Sequence, residues 1–443
     1  MTEMIRDFPR NASGVPAPAR VFVFLQGPHG PFFWRLAQML RCAGAQVWRV
    51  GFNAGDRLFW RDGRSFHAFT RPHHDWPAEC RRIMTEKRVT DLVVYGDTRP
   101  IHARAIAEAQ AAGITVHVFE EGYLRPYWVS YERNGANGHS RVMDMSVADM
   151  RHALARSDLD TALPPASWGD MRHHVFYGAL YHGAVLVSGL TPRWRNFRPH
   201  RALSVAQEFR LYLKRLVLMP LHAIDRHIAS WRIRNGGFPY HLALLQLEHD
   251  TAFRDHSPFG TMTEFLDTVL TGFARGAPRH HHLVIKAHPL EDGRVPIRAE
   301  LRRLTRRLGL AGRVHYVRGG KLARLLDEAR SAVTVNSTAA QQVLWRGIPL
   351  KCFGSAVYAK PEFVSGKSLS AFFAGAERPD RRAYRDFRRY LLETSQIAGG
   401  FYSARGRRQV LRQAVDMMLS HHDPYDALAT GTAAPRQQLQ LVN

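Results

Sequence analysis

Short apolar runs that stop abruptly in polar residues recur along the chain, with amphipathic stretches between them. Residues 21–25 (VFVFL) run into Gln26-Gly-Pro-His-Gly30, 46–52 (QVWRVGF) end at Asn53, 92–95 (LVVY) end at Gly96-Asp97, and 115–119 (TVHVF) end at Glu120-Glu121-Gly122. Each reads as a buried strand. Residues 32–42 put Phe33, Leu36, Ala37 and Leu40 on one helical face before Gly44, and 101–112 form a second helical stretch closed by Gly113. Strands alternating with helices predict a parallel, doubly wound sheet.

The rhythm returns after residue 239. Residues 241–250 (HLALLQLEHD), 283–293 (LVIKAHPLEDG) and 332–338 (AVTVNST) each pass from apolar strand to polar cluster, with further strands at 314–317 and 349–353. Helical patterns fall at 263–274, 301–308, 321–329 and 339–345. The predicted fold class is α/β, with two Rossmann-like domains facing a cleft: residues 19–150 on the amino-terminal side and 239–380 on the carboxyl-terminal side. Residues 381–427 read as helices packing back, and 1–18 and 428–443 as loose tails. The segment 151–238 breaks the pattern. Between positions 193 and 234 ten Arg and Lys face only Glu208 and Asp225, interleaved with Trp194, Phe197, Phe209, Leu213, Leu216 and Trp231. Such a basic amphipathic helical segment suits either an ordinary interdomain helix pair or contact with anionic lipid.

Composition narrows the partners. With 443 residues, the chain exceeds one ordinary core. Its 45% hydrophobic and 11% aromatic content is that of a packed globular protein. A net charge of +24 favours an anionic partner, whether nucleic acid, membrane or phosphorylated substrate. Cys42, Cys80 and Cys352 lack metal or disulfide spacing, no apolar signal core opens the chain, and the apolar stretch near 176–190 is broken by His182. A cytoplasmic protein is expected.

In an open parallel sheet, ligands bind beyond the carboxyl ends of the strands. There Lys286, His288 and Pro289 offer a cation, an imidazole and a stiffened backbone to a phosphate, and Asn336-Ser337-Thr338 open a helix. A simple helix cap would account for the last three equally. Asp250 could be nucleophile, general base or metal ligand, or could cap the next turn; Asp97 and Glu121 could oppose it across the cleft. The run His280-His281-His282 alternates faces on an extended chain and reads as structural. The glycine fingerprints of dehydrogenases and P-loop enzymes are absent.

The stretches FLQGPHGPFFWRLAQML (24–40), GFNAGD (51–56), YGDTRPIH (95–102), FEEGYLRP (119–126), QLEHD (246–250), KAHPLEDG (286–293) and VNSTAAQQVLWRGIPLKCFGSAVY (336–358) together resemble the bacterial capsule polysaccharide β-Kdo glycosyltransferases. The likeness is to the member that adds the first Kdo to phosphatidylglycerol. It implies a GT-B-like fold, a CMP-β-Kdo donor, a (lyso)phosphatidylglycerol acceptor, and a retaining reaction needing neither metal nor cofactor. It further implies Asp250 as nucleophile, and Lys286, His288, Pro289, Asn336, Ser337 and Thr338 around the nucleotide. Asp97, Glu120 and Glu121 become candidates for acceptor activation or support of the nucleophile, and Gln26, His29, Arg99, Arg125 and Gln246 for the donor sugar or acceptor. The expected setting is the cytoplasmic face of a Gram-negative inner membrane, peripherally bound, alongside other capsule-assembly proteins. Three other readings stand beside it: a non-catalytic export or modification accessory binding lipid-linked glycan, a GT-B transferase with another nucleotide-sugar donor, and a nucleic-acid binder. The last lacks any recognisable reader motif.

Overall fold

The first apolar runs form the centre of a seven-stranded sheet. In chain order they are β1 (Val21–Phe24), α1 (Phe32–Cys42), β2 (Gln46–Gly51), α2 (Ala54–Leu58), β3 (Phe66–Ala68), α3 (Trp76–Glu86), β4 (Asp91–Tyr95), α4 (Pro100–Ala111), β5 (Thr115–Glu121) and β6 (Trp128–Arg133). The strand order is β12-β6-β5-β4-β1-β2-β3, with β12 (Gln396–Ala398) arriving late in the chain to pair antiparallel with β6. β1 to β5 are mutually parallel. Strands buried on both faces need apolar residues at consecutive positions, which is why VFVF and DLVVY carry no in–out alternation. The computed structural model describes residues 19–124, 127–156, 170–189, 192–198, 203 and 205–433.

After α5 (Val147–Leu154) come two long helices, α6 (Asp170–Ser188) and α7 (Val205–Asn235). A second sheet follows, built from β7 (Tyr240–Leu244), α8 (Thr251–His256), α9 (Met262–Gly276), β8 (His282–Lys286), α10 (Ile297–Arg307), β9 (Val314–Val317), α11 (Ala323–Leu326), β10 (Ala329–Thr334), α12 (Ala340–Trp345) and β11 (Leu350–Cys352). Its order is β11-β10-β7-β8-β9, parallel throughout. Both sheets therefore have the Rossmann order 3-2-1-4-5, and the direction of winding reverses between β1 and β4 and between β7 and β10. The fold is α/β and GT-B-like, and each reversal leaves a crevice at the carboxyl edge.

The remaining helices are α13 (Leu369–Ala374), α14 (Arg381–Thr394), α15 (Ala404–Leu419) and α16 (Pro424–Thr430). One apolar core joins the halves: Tyr123, Val142 and Met150 pack with Leu242 and Val284, and Tyr384, Phe387 and Tyr390 of α14 belong to the same cluster. Lys360 reaches across to donate to the carbonyls of Val142 (2.7 Å) and Met143 (2.9 Å). The tail expected from residue 428 starts later. Leu428 is fully buried against that shared core, so α16 continues to Thr430 before Gly431 closes it with φ +72°. Residues 1–18 and 434–443 lie outside the described range.

Candidate functional site

Leu244 of β7 pairs with Lys286 on one side and Thr334 on the other, so the three polar clusters that follow these strands emerge side by side. Gln246 and Asn336 close the crevice between β7 and β10: Gln246 Nε2 donates to Asn336 Oδ1 (2.7 Å), and the Asn336 backbone N–H donates to Gln246 Oε1 (3.0 Å). Both amide hydrogens of Asn336 go to carbonyls of α8, at Ala252 (2.6 Å) and His256 (3.1 Å). These two residues, expected at the nucleotide and the sugar, thus form the frame that holds α8 in place.

Asp250 begins α8. It is exposed, and its Oδ1 accepts the Thr251 N–H (3.1 Å), so it caps the helix and leaves its second oxygen open to other work. Glu248 accepts the N–H of Met262, the first residue of α9, at 2.8 Å. Lys286 is only 5% exposed and donates to the Ala287 carbonyl (3.0 Å); burial, reinforced by nearby Arg226, lowers its pKa to about 8. His288 is half-buried and its Nδ1 accepts the Leu290 N–H (3.1 Å), which leaves the ring proton on Nε2. Pro289 is exposed, and its carbonyl accepts Arg215 of α7 (2.9 Å). Ser337 Oγ accepts the Ala339 N–H (3.2 Å) and its carbonyl the Tyr358 hydroxyl (2.8 Å), with half-buried Thr338 next in the turn.

On the opposite sheet, Asp97 follows β4 after Gly96, whose φ of +71° turns the chain. Asp97 is 5% exposed, and its Oδ2 accepts the Ala136 N–H (2.9 Å) and His139 Nδ1 (3.0 Å). His139, 60% exposed, lies edge-on to His256 at the end of α8, centroids 5.2 Å apart. A Cβ on Gly138 would stand 2.4 Å from the His256 ring, so that glycine lets the two halves meet. Burial lowers the pKa of His256. An Asp–His pair of the first half therefore abuts the helix that Asp250 begins.

Glu120 and Glu121 are the last residues of β5, not residues beyond it: they pair with Ser130 and Val129 of β6 and point to opposite faces. Glu121 accepts the Tyr95 hydroxyl (3.4 Å), and Arg99 lies 5.3 Å above the Tyr95 ring. Glu120 accepts the Glu121 N–H (3.1 Å). Arg125 lies outside the described residues. Gln26 and His29 are covered by α6: Gln26 donates to buried Asp56 (3.1 Å) and to the Tyr181 hydroxyl (3.2 Å), and His29 stacks on Tyr181 at 4.5 Å. Asn53 also donates to that hydroxyl (2.8 Å). Gly30 and Gly55 make room for α6, since a Cβ would come within 3.0 Å of Tyr177 and 2.6 Å of Tyr181 respectively.

His139, His256 and Tyr181 did not stand out in the sequence. His139 sits in the turn-like stretch NGANGH, and His256 ends a six-residue helix. Only the pairing of Tyr177 and Tyr181 at i, i+4 hinted that α6 has a side facing the first sheet.

Residues 90–402 match the family of capsule polysaccharide biosynthesis proteins, and the chain belongs to it. It is 30% identical over 398 residues to the capsule polysaccharide export protein KpsS of Escherichia coli, covering 88% of this chain and 99% of that protein. It is 28% identical over 406 residues to the capsule polysaccharide modification protein LipB of Neisseria meningitidis serogroup A, covering 89% and 94%. Among solved structures, Thermosulfurimonas dismutans KpsC, a β-Kdo 2,7 transferase, aligns over 90% of this chain and 100% of that one, at 13% identity and a TM-score of 0.42.

Proposed function

We propose that this capsule protein is a retaining glycosyltransferase that moves Kdo from CMP-β-Kdo to a phosphatidylglycerol-type lipid at the inner face of the inner membrane, starting the linker on which capsule is built. The observation that carries the reading is the convergence at one sheet edge of Lys286, His288 and the head of α8, where Asp250 stands. The motif resemblance supplies the donor and acceptor. The charge left on CMP falls to Lys286 and His288. A carboxylate of Asp250 attacks the anomeric C2 of Kdo, and the C2–O bond breaks with its electron pair leaving on CMP phosphate. The acceptor hydroxyl then attacks the same carbon, releasing Asp250. Two inversions give net retention. His139 takes the hydroxyl proton on Nε2, with Asp97 fixing its tautomer through Nδ1. Glu121 and Arg99 hold the acceptor, and no metal or cofactor is assigned a role.

The names of the relatives, an export protein and a modification protein, favour a second reading: binding of lipid-linked glycan without chemistry. One experiment separates the two. Purified protein is incubated with CMP-Kdo generated in situ and a fluorescent phosphatidylglycerol, wild type beside Asp250→Asn, which keeps a good helix cap but removes the nucleophile. The proposal expects a product one Kdo heavier by mass spectrometry from wild type alone. Equal product from both discards Asp250 as nucleophile, and none from either folded protein selects the binding role.

A further inference from the structure

A helix on the surface of a soluble protein normally turns its apolar stripe inward. α6 and α7 bury a few apolar side chains, Val185 and Ile233 among them, but turn most of their large ones outward. On α7 the inward positions carry Glu208, Arg215, His222, Asp225 and Arg226, while Phe209, Leu213, Val217, Leu221, Ile224 and Trp231 face out. The inward polar residues are engaged with the second half: Glu208 pairs with Arg294 (2.7 Å), Asp225 with Arg298, Arg318 donates to His222 (2.6 Å), and Arg215 donates to the Pro289 carbonyl. On α6, Tyr177 and Tyr181 face the first sheet, and Val175, Phe176, Leu180, Leu186 and Val187 face out. Of the large apolar side chains exposed among the described residues, all but Leu58, Leu290 and Trp345 lie on these two helices. Val217 is 69% and Val187 67% exposed. Lone exposed leucines are ordinary, but this concentration of exposed apolar side chains on two helices that touch marks a contact surface.

Charge selects what covers it. Both acids of α7 are turned inward and paired, whereas Arg210, Lys214, Arg232 and Arg234 are exposed on the same helix. A second copy would bring the same positive charge against this face. A surface with an apolar interior and anionic headgroups satisfies both features. No helix among the described residues is long and apolar enough to cross a membrane, so any bilayer contact of the pair is along the surface.

We infer that the outward faces of α6 and α7 form one docking surface that seats the protein in the headgroup region of an anionic bilayer. The same helices line the cleft with their other faces, α6 over Gln26 and His29 and α7 against the His288 loop, so a lipid-borne acceptor reaches the site sideways without leaving the membrane. That delivery route rests on the proposed transfer to lipid; the docking surface does not.

The test is co-sedimentation with phosphatidylcholine vesicles with and without phosphatidylglycerol, using wild type, Leu213→Ser/Val217→Ser/Ile224→Ser and Arg210→Gln/Lys214→Gln. These side chains are solvent-exposed, so Tm should be unchanged in both variants. Wild type should bind the anionic vesicles and lose most binding at about 0.5 M salt, and each variant should bind roughly tenfold or more weakly. Equal binding by the apolar triple variant, or a wild-type dimer that this variant dissociates, overturns the docking surface. Transfer to a short-chain, water-soluble acceptor should survive in the triple variant while transfer to vesicle-borne acceptor falls. Equal loss on both acceptors overturns the delivery route. Vesicle binding with no transfer to either acceptor by wild type leaves the docking surface standing and removes the transferase reading.

Discussion

In the proposed reaction Lys286 meets the departing phosphate and His139 the incoming hydroxyl. A lysine buried at a strand end is poorly solvated as a cation, which is why its pKa drops to about 8. A bound phosphate would supply the missing counter-charge and draw the proton back. Affinity for CMP should therefore hold below pH 8 and fall as pH rises through it, because the protonated form binds and is then lost. In Lys286→Gln, binding by calorimetry should be weaker and flat across the same range. In the proposed reaction His139 acts later, on the acceptor. Its removal should spare formation of the glycosyl-enzyme and slow only its discharge: His139→Gln should still release one equivalent of CMP in a burst, with steady-state transfer down roughly a hundredfold or more. Loss of the burst itself would place His139 in the first step or in the fold. Asp97→Asn, which leaves His139 in place but disturbs its tautomer, should show the same split, since the proposed reaction gives Asp97 a positioning role.

At the scale of elements, two sequence motifs serve α6. Gln26 and Asn53 both donate to the Tyr181 hydroxyl, and Gly55 lies under its ring. Gly55→Leu should dislodge α6 and lower stability by about 1–3 kcal/mol, with faster proteolysis within 170–188. Gly183→Ala, also on α6 but with nothing within 4 Å of its added carbon, should raise Tm slightly because alanine is the better helix former. The contrast checks that α6 is seated as described. The motifs were legible as motifs, but their purpose was not, because α6 is far from both in the chain and the Tyr177–Tyr181 spacing marks a helical face without saying what it covers. The strands at 21–25, 92–95, 241–244 and 283–286 were legible because double burial forces unbroken apolar runs. β3, β6 and β12 left no such mark: β3 is only three residues and half-buried at the sheet edge, β6 pairs antiparallel and carries Ser130 and Glu132, and β12 is a three-residue strand that joins only through its neighbour. The same limit misplaced Glu120 and Glu121, which β6 draws into β5. On the second sheet the edge residues were found, yet that Gln246 and Asn336 also frame α8 showed only in their hydrogen bonds to each other and to that helix.

The whole molecule is held by segments far apart in sequence, and Glu132 is where three of them meet. Its buried carboxylate accepts hydroxyls from Tyr123 next to β5, Ser140 in the loop beyond His139, and Tyr425 of α16. Tyr123 in turn accepts the Asn137 N–H (2.7 Å), so the turn that carries His139 is tied to the same point. Burial pushes the pKa of Glu132 up to about 7, against which the three hydroxyls pull down. A carboxyl whose folded pKa is raised favours the folded state while protonated. That contribution is complete below the ordinary value near 4.5 and is lost as pH rises from there through about 7. Wild-type Tm should accordingly decline across pH 5 to 8 by more than the remaining groups account for. In Glu132→Gln, which stays neutral while the hydroxyls can rotate to meet its amide, that part of the decline should disappear, so the variant gains on wild type as pH rises. A Tm difference independent of pH would mean that Glu132 holds the same protonation state folded and unfolded. The carboxyl would then tie β6, the His139 turn and α16 together by geometry alone.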